Sequence, residues 1–250
     1  MKPSELVPVI ACASCCLGIL VISAAVVAEP GGQPANKVLR VKQTGDFELI
    51  GDGSAPAWKN TAWEPLTRRS KEGHPYDARF KMLYSTSGLY VLLNGSDRKL
   101  TATMQEDFLD LWNEDVFEFF LWTDEREPIY FEYEISPLGR ELPILVPNVD
   151  GKFLGWRPWH YHGDRMTRRA TTVAGGDKKS GAETTGWTAE VFVPYKLLEP
   201  LGNRTPKPGT RWRANVYRVD YDDGRTTGWD WSRVGPSFHE YQKFGTLIFE

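Results

Sequence analysis

The chain reads as an all-β protein, an antiparallel two-sheet β-sandwich of jelly-roll type with about ten strands and little helix. Three observations predict this. Short runs rich in branched and aromatic residues alternate in polarity with a period of two. Turn dipeptides punctuate those runs: Asp52-Gly53, Asn94-Gly95, Asp150-Gly151 and Asp223-Gly224. Helical periodicity is nearly absent, and only Met104 to Leu111 and Tyr195 to Leu201 offer one or two turns.

In chain order, the first stretch is a targeting segment. Lys2 supplies a positive charge, and the apolar run Leu17 to Val27 is too short to span a membrane comfortably. Val26-Val27-Ala28 before Glu29-Pro30 makes a small-residue cleavage site. Residues 1–28 are therefore read as a signal peptide, with an uncleaved anchor as the alternative. Either reading makes the working domain secreted, periplasmic or cell-surface. All three cysteines, Cys12, Cys15 and Cys16, fall in this segment, which leaves no disulfide or thiolate site beyond it. Residues 29–37 are a Gly/Pro-rich linker, and 38–250 form one domain.

Within that domain the expected strands are Arg79 to Tyr84, Gly88 to Leu93, Asp115 to Trp122 and Ile129 to Ile135. Gly186 to Val193, Arg211 to Val219 and Phe244 to Phe249 follow, and the polar stretch Gly175 to Thr185 reads as a loop. A length of 250 residues suits one sizeable β-domain. A net charge of −3 argues against a phosphate-backbone footprint, which needs a basic surplus. A sandwich core built with aromatics accounts for most of the ten Trp, ten Tyr and twelve Phe, but ten Trp is more than packing needs, so some should be exposed for binding.

The most informative run is Trp112-Asn-Glu-Asp-Val-Phe-Glu-Phe-Phe-Leu-Trp122. Alternation puts Val116, Glu118, Phe120 and Trp122 on one face and Phe117, Phe119 and Leu121 on the other. A carboxylate in the middle of such a strand is costly to bury without a partner. Glu118 therefore faces a wet concave surface or a ligand, and Trp112 at the strand's mouth is the usual companion of a sugar ring. The structural alternatives are a core or loop-anchor role for Trp112, and a salt bridge from Glu118 to Arg218 or Arg140. In Arg211 to Asp220, alternation sets Trp212, Ala214, Val216 and Arg218 opposite Arg213, Asn215, Tyr217 and Val219.

Several ordered pieces together resemble the family 9 carbohydrate-binding modules. They are Gly88-Leu-Tyr-Val91 with Asp97, Trp112 with Asp115-Val-Phe-Glu118, and Gly186-Trp-Thr-Ala-Glu190 with Val193-Pro194-Tyr195 and Leu198. Trp212-Arg-Ala-Asn215 with Tyr217-Arg218, and Phe238-His239 with Phe244-Gly245, complete the match across residues 38–250. The resemblance implies a β-sandwich that grips a mono-, oligo- or polysaccharide between two Trp rings, as a non-catalytic binder working beside a glycoside hydrolase in polysaccharide breakdown. Trp112 and Glu118 match one clamping Trp and its acidic partner. The second clamp falls to Trp229 or Trp231, with Arg140, Arg218 and His239 as further ligand contacts. The chain departs from the family where the strand after the acidic one should carry a base; here it carries Glu132, Tyr133 and Glu134.

No cofactor is required by this reading. Relatives bind calcium, and Asp220, Asp222 and Asp223 are the candidate oxygen ligands, with a solvated hairpin turn as the alternative. His160, His162 and His239 lack the grouping of a zinc site. An enzyme would pair Glu118 with Asp115, Glu132 or Glu134 as acid and base. A haem-carrying or electron-transfer sandwich would use His239 or Met104 axially, without any haem attachment motif.

Overall fold

The computed structural model describes residues 36–250; the expected signal peptide and most of the expected linker lie outside the described residues. Fifteen strands are formed: β1 (Val38–Gln43), β2 (Glu64–Pro65), β3 (Thr67–Arg68), β4 (Ala78–Tyr84), β5 (Gly88–Ser96), β6 (Val116–Trp122), β7 (Ile129–Ile135), β8 (Glu141–Val149), β9 (Lys152–Phe153), β10 (Arg157–Pro158), β11 (Arg168–Ala174), β12 (Gly186–Pro194), β13 (Arg211–Asp220), β14 (Thr227–Asp230) and β15 (Gly245–Phe249). The count exceeds the expected ten because β2, β3, β9 and β10 have two residues each, too few for alternation to register. The only helical elements among the described residues are five short 3-10 turns, one of them Leu111–Asn113. The two stretches that offered helix, Met104 to Leu111 and Tyr195 to Leu201, are mostly turns.

Strand order runs β10-β8-β7-β6-β13-β15-β1-β4-β5-β12-β11, and β1 is where one sheet becomes the other. Its first four residues pair with β15, from Val38↔Thr246 to Val41↔Phe249. Its last two pair with β4, as Lys42↔Leu83 and Gln43↔Tyr84. Both of these pairings are parallel, whereas the other strand pairings are antiparallel. A strand paired with partners remote in sequence is not bound by hairpin geometry, so the fully antiparallel expectation is corrected at this one strand.

The alternation read from the sequence decides the layers. Phe117, Phe119 and Leu121 of β6, Phe131 and Tyr133 of β7, and Trp212 and Val216 of β13 point inward. They meet Phe80, Met82, Val91 and Val191 of the opposite sheet. The other face of β6, β7, β8 and β13 carries a second apolar cluster that includes Phe120, Tyr130, Ile144 and Tyr217. Loops close over it, and because both faces are covered every residue of β6 is buried. That outer face carries the candidate site.

Candidate functional site

Three glutamates form the floor of a groove on the outer face. Glu118 of β6 lies opposite Glu134 of β7 in the ladder, and Phe120 opposite Glu132, so the three acids lie on two adjacent strands of one face. Glu118, Glu132 and Glu134 line a groove of about 650 Å³ together with Trp112, Trp156 and His239. All three acids are buried, Glu134 completely. Oε2 of Glu132 and both oxygens of Glu134 make no hydrogen bond. The backbone N–H of Trp112 and the Glu132 carboxyl are close enough to act on the Glu134 charge but are not aligned as bonding partners.

The walls are aromatic. Trp112 and Trp156 are both half-buried, and their ring centroids lie 6.0 Å apart at 74°. His239 stacks between Phe153 at 4.3 Å and the buried Phe120 at 5.6 Å. Its Nδ1 is 2.6 Å from the Tyr130 hydroxyl and 3.8 Å from Glu132 Oε2. Phe238 stacks flat on Tyr217 at 4.1 Å, with the Arg69 guanidinium 4.8 Å from its ring. Trp112 is held by the two acids that follow its turn. Glu114 accepts from the Thr103 and Met104 amides at 2.6 and 3.1 Å. Asp115 accepts from the Thr101 and Tyr221 amides at 2.6 and 2.9 Å. The Tyr221 hydroxyl then donates to the Trp112 carbonyl at 2.6 Å. Of the three acids around the mouth of β6, two serve as straps and only Glu118 faces the groove.

Electrostatically the floor is acid without a counter-ion. Burial pushes the Glu118 carboxyl up to about 8. Glu132 and Glu134 rise well above the carboxylate range, first by burial and then by the repulsion of their acidic neighbours. Burial lowers His239 to about 4, so its ring is neutral near pH 7. Arg69 lines the groove but is committed to Asp230 at 2.8 Å and to the Gly235 carbonyl.

Of the residues expected at the site, the structure brings together Trp112, Glu118 and His239. Trp229 and Trp231 are each 1% exposed and belong to the inter-sheet core, so neither is a second clamp. Trp229 pairs across the ladder with the inward-facing Arg218, and Trp231 packs edge-on against Phe80. Arg218 also points inward: Glu118 opposes Tyr217, so strand parity carries Arg218 through the sheet. There its Nη2 bonds Asp97 at 3.2 Å and Asp220 at 2.8 Å, and Nη1 reaches the Ser96 carbonyl at 2.6 Å. A Cβ on Gly95 would stand 2.5 Å from Nη1, so the glycine makes room for the guanidinium. Arg140 sits in the β7–β8 turn near Lys178, away from the groove. Both salt-bridge alternatives for Glu118 are therefore corrected.

The acids expected to hold calcium are also regrouped. Asp222 accepts from Tyr76 at 2.5 Å, and the exposed Asp223 pairs with Arg98 at 2.6 Å. Asp220 instead joins Asp97 and Asp115, with oxygens within 4.8 Å of one another and all three residues buried. These three are the oxygen donors that would hold a hard cation. Arg218 already serves Asp97 and Asp220, and burial next to Asp97 pushes Asp115 up to about 8.

The groove members that sequence reading missed are Trp156 and the joint role of Glu132 and Glu134. The glutamates carried the same signal as Glu118, acids alternating with apolar residues in an otherwise apolar strand. Trp156 lies between two two-residue strands and carried none. A second groove, of about 580 Å³, lies beside Arg168 and Tyr195. Its Asp46 already accepts from Ser87 and Tyr90 at 2.7 and 3.0 Å, which leaves that acid less free for a ligand.

No protein-family profile matches the chain, and no curated protein matches it by sequence. Solved structures match it in fold. A proposed carbohydrate-binding protein of Bacteroides uniformis superposes with a TM-score of 0.70 at 18% identity, over 86% of this chain and 100% of that one. A family 9 carbohydrate-binding module of Caldicellulosiruptor kristjanssonii in complex with cellotriose gives 0.62 at 15% identity, over 86% of this chain and 94% of that one. The glucose complex of a family 9 module from the same organism gives 0.60 at 14%, over 85% and 96%. The chain thus carries a family 9-like β-sandwich, and at these identities the likeness is one of fold.

Proposed function

We propose that the chain is an exported sugar-binding protein that holds a saccharide in the groove against the Trp112 and Trp156 wall, above Glu118, Glu132 and Glu134. One observation carries this reading: two half-buried Trp rings 6.0 Å apart stand beside buried carboxylates whose hydrogen-bonding capacity is unfilled. A pyranose offers apolar C–H faces to such rings and hydroxyl donors to such acceptors. The glucose and cellotriose held by the two family 9 structures favour a gluco-configured ligand. Secretion and a place beside a glycoside hydrolase in polysaccharide breakdown belong to the same proposal.

The test is calorimetric titration of the protein with cellotriose and related oligosaccharides. A ring stacked on a sugar contributes on the order of 1–3 kcal/mol, by analogy with stacking on bases. Trp112→Ala should therefore weaken binding roughly tenfold with little change in melting temperature. Binding that is unchanged in Trp112→Ala would contradict the reading.

A hydrolase reading is favoured by one observation, the carboxylates of Glu118 and Glu134 on adjacent strands of a groove with raised pKa. A glycosidase pair needs its two pKa values pushed apart, so that one group stays ionised. Here both are pushed up together, which favours binding. An assay for released reducing ends separates the two.

A further inference from the structure

We infer that the groove selects amino sugars, saccharides whose ring carries a protonated amine in place of a hydroxyl, and that Glu118 is the principal contact for the ammonium. The inference rests on the sugar-binding reading above and narrows its substrate class. The floor of the groove gathers three acids and no cation among the described residues. Buried acids are normally paired with a cation or fully hydrogen-bonded, because an unpaired buried charge is strongly unfavourable. Glu118, Glu132 and Glu134 have neither. Among the described residues, neither the hydrogen bonds nor the ion pairs give any of the three a Lys or Arg partner; the basic neighbour in those ion pairs is His239, 3.8 Å from Glu132 and neutral. Arg69, the one arginine lining the groove, is taken by Asp230. Three acceptor oxygens, on Glu132 and Glu134, are sequestered from water with no partner. The cation that would settle this floor must therefore come from the ligand.

The shape of the cluster indicates what kind of cation. The acids whose oxygens converge within 4.8 Å of one another are Asp97, Asp115 and Asp220 on the far side of the sheet, not the groove's glutamates. The more widely set glutamates are a poor cage for a bare metal ion. They suit a primary ammonium, which carries three donors that point in different directions and bond acceptors at about 2.7–2.9 Å. The Trp112 and Trp156 rings beside these acids supply the apolar walls that a sugar ring needs and a simple amine does not. Ammonium donors below an aromatic bracket describe a hexosamine unit. An ammonium stabilises the ionised form of these acids, whereas an uronate or a sulfated sugar would bring negative charge to a floor that offers it no cation and is disfavoured.

The experiment is calorimetry on the full chain at pH 7 with three matched trisaccharides: cellotriose, its 2-amino counterpart, and the N-acetylated form of that counterpart. The expected result is that the amino form binds at least tenfold more tightly than the other two. Glu118→Gln, which keeps shape and removes the ionisable group, should cut that preference to threefold or less; its melting temperature confirms the fold. Equal or tighter binding of cellotriose overturns the amino-sugar inference and leaves the sugar-binding reading standing. A preference undiminished in Glu118→Gln overturns the role assigned to Glu118. Failure of all three to bind overturns both readings.

Discussion

At the scale of single residues, the site depends on where a carboxylate sits within an apolar strand. Glu118 and Trp112 were legible because an acid in the middle of a β-run has few ways to be satisfied. Trp229 and Trp231 were misread because two tryptophans at i and i+2 look the same whether they face a ligand or a core. What separates the two cases is a polar companion on the same face. Glu118 marks the groove, whereas the face that carries Thr227 and Trp229 holds no acid, because Asp230 alternates to the other side. Trp231→Ala should accordingly cost about 3–5 kcal/mol of folding stability in urea denaturation, as large-to-small core changes do. Trp112→Ala, at a half-buried ring, should cost far less and act on binding instead.

The raised Glu118 carboxyl gives a second residue-scale expectation. Its folded-state value of about 8 lies above the ordinary 4.5, so the folded state binds the proton more tightly than the unfolded chain. Its contribution to stability is full below about pH 4.5 and is lost as pH rises through 8. The melting temperature should therefore fall between pH 5 and pH 9, and Glu118→Gln should flatten that fall. Thermal scans across this range would check the sign; a melting temperature that rises with pH equally in both proteins would contradict it.

At the scale of elements, β6 and β13 show how one ladder serves two purposes. Their outer residues, Glu118 and Tyr217 among them, face the groove side of the sheet, while Phe117 and Arg218 form the next opposed pair and face the core. Alternation predicted both faces of both strands, and it also decides that Arg218 cannot reach Glu118. What alternation could not supply was which partner waits inside. Asp97 and Asp220 hold Arg218, one from the segment after β5 and one from the end of β13 itself. Removing one member of such a buried network leaves its partners charged and dry, at about 3–5 kcal/mol. Arg218→Met should lower stability by that order in urea denaturation, and more at pH 8 than at pH 5. The reason is that burial already pushes Asp97 up to about 6, so low pH neutralises it. The short elements escaped the sequence because β9 and β10 are too brief for periodicity, and Trp156 stands between them.

At the scale of the whole molecule, β1 joins the sheets by pairing with β15 and then with β4. Leu39 and Val41 anchor it in the inter-sheet core. Leu39→Ala should cost about 2–5 kcal/mol, and a single cooperative unfolding transition should be retained, since both sheets lose the same brace. The two-layer class was legible from residue patterns spread along the domain. The parallel pairing of β1 was not, because partners at opposite ends of the sequence leave no local trace.

The central claim is that a saccharide lies on the outer face of the β6–β7–β13 layer, against the Trp112 and Trp156 wall. The most direct test is a crystal structure of the protein soaked with an oligosaccharide. The account predicts a sugar ring against the Trp112 plane, with a ligand donor within hydrogen-bonding distance of Glu118. Sugar seated only in the groove beside Arg168 and Tyr195 would contradict it.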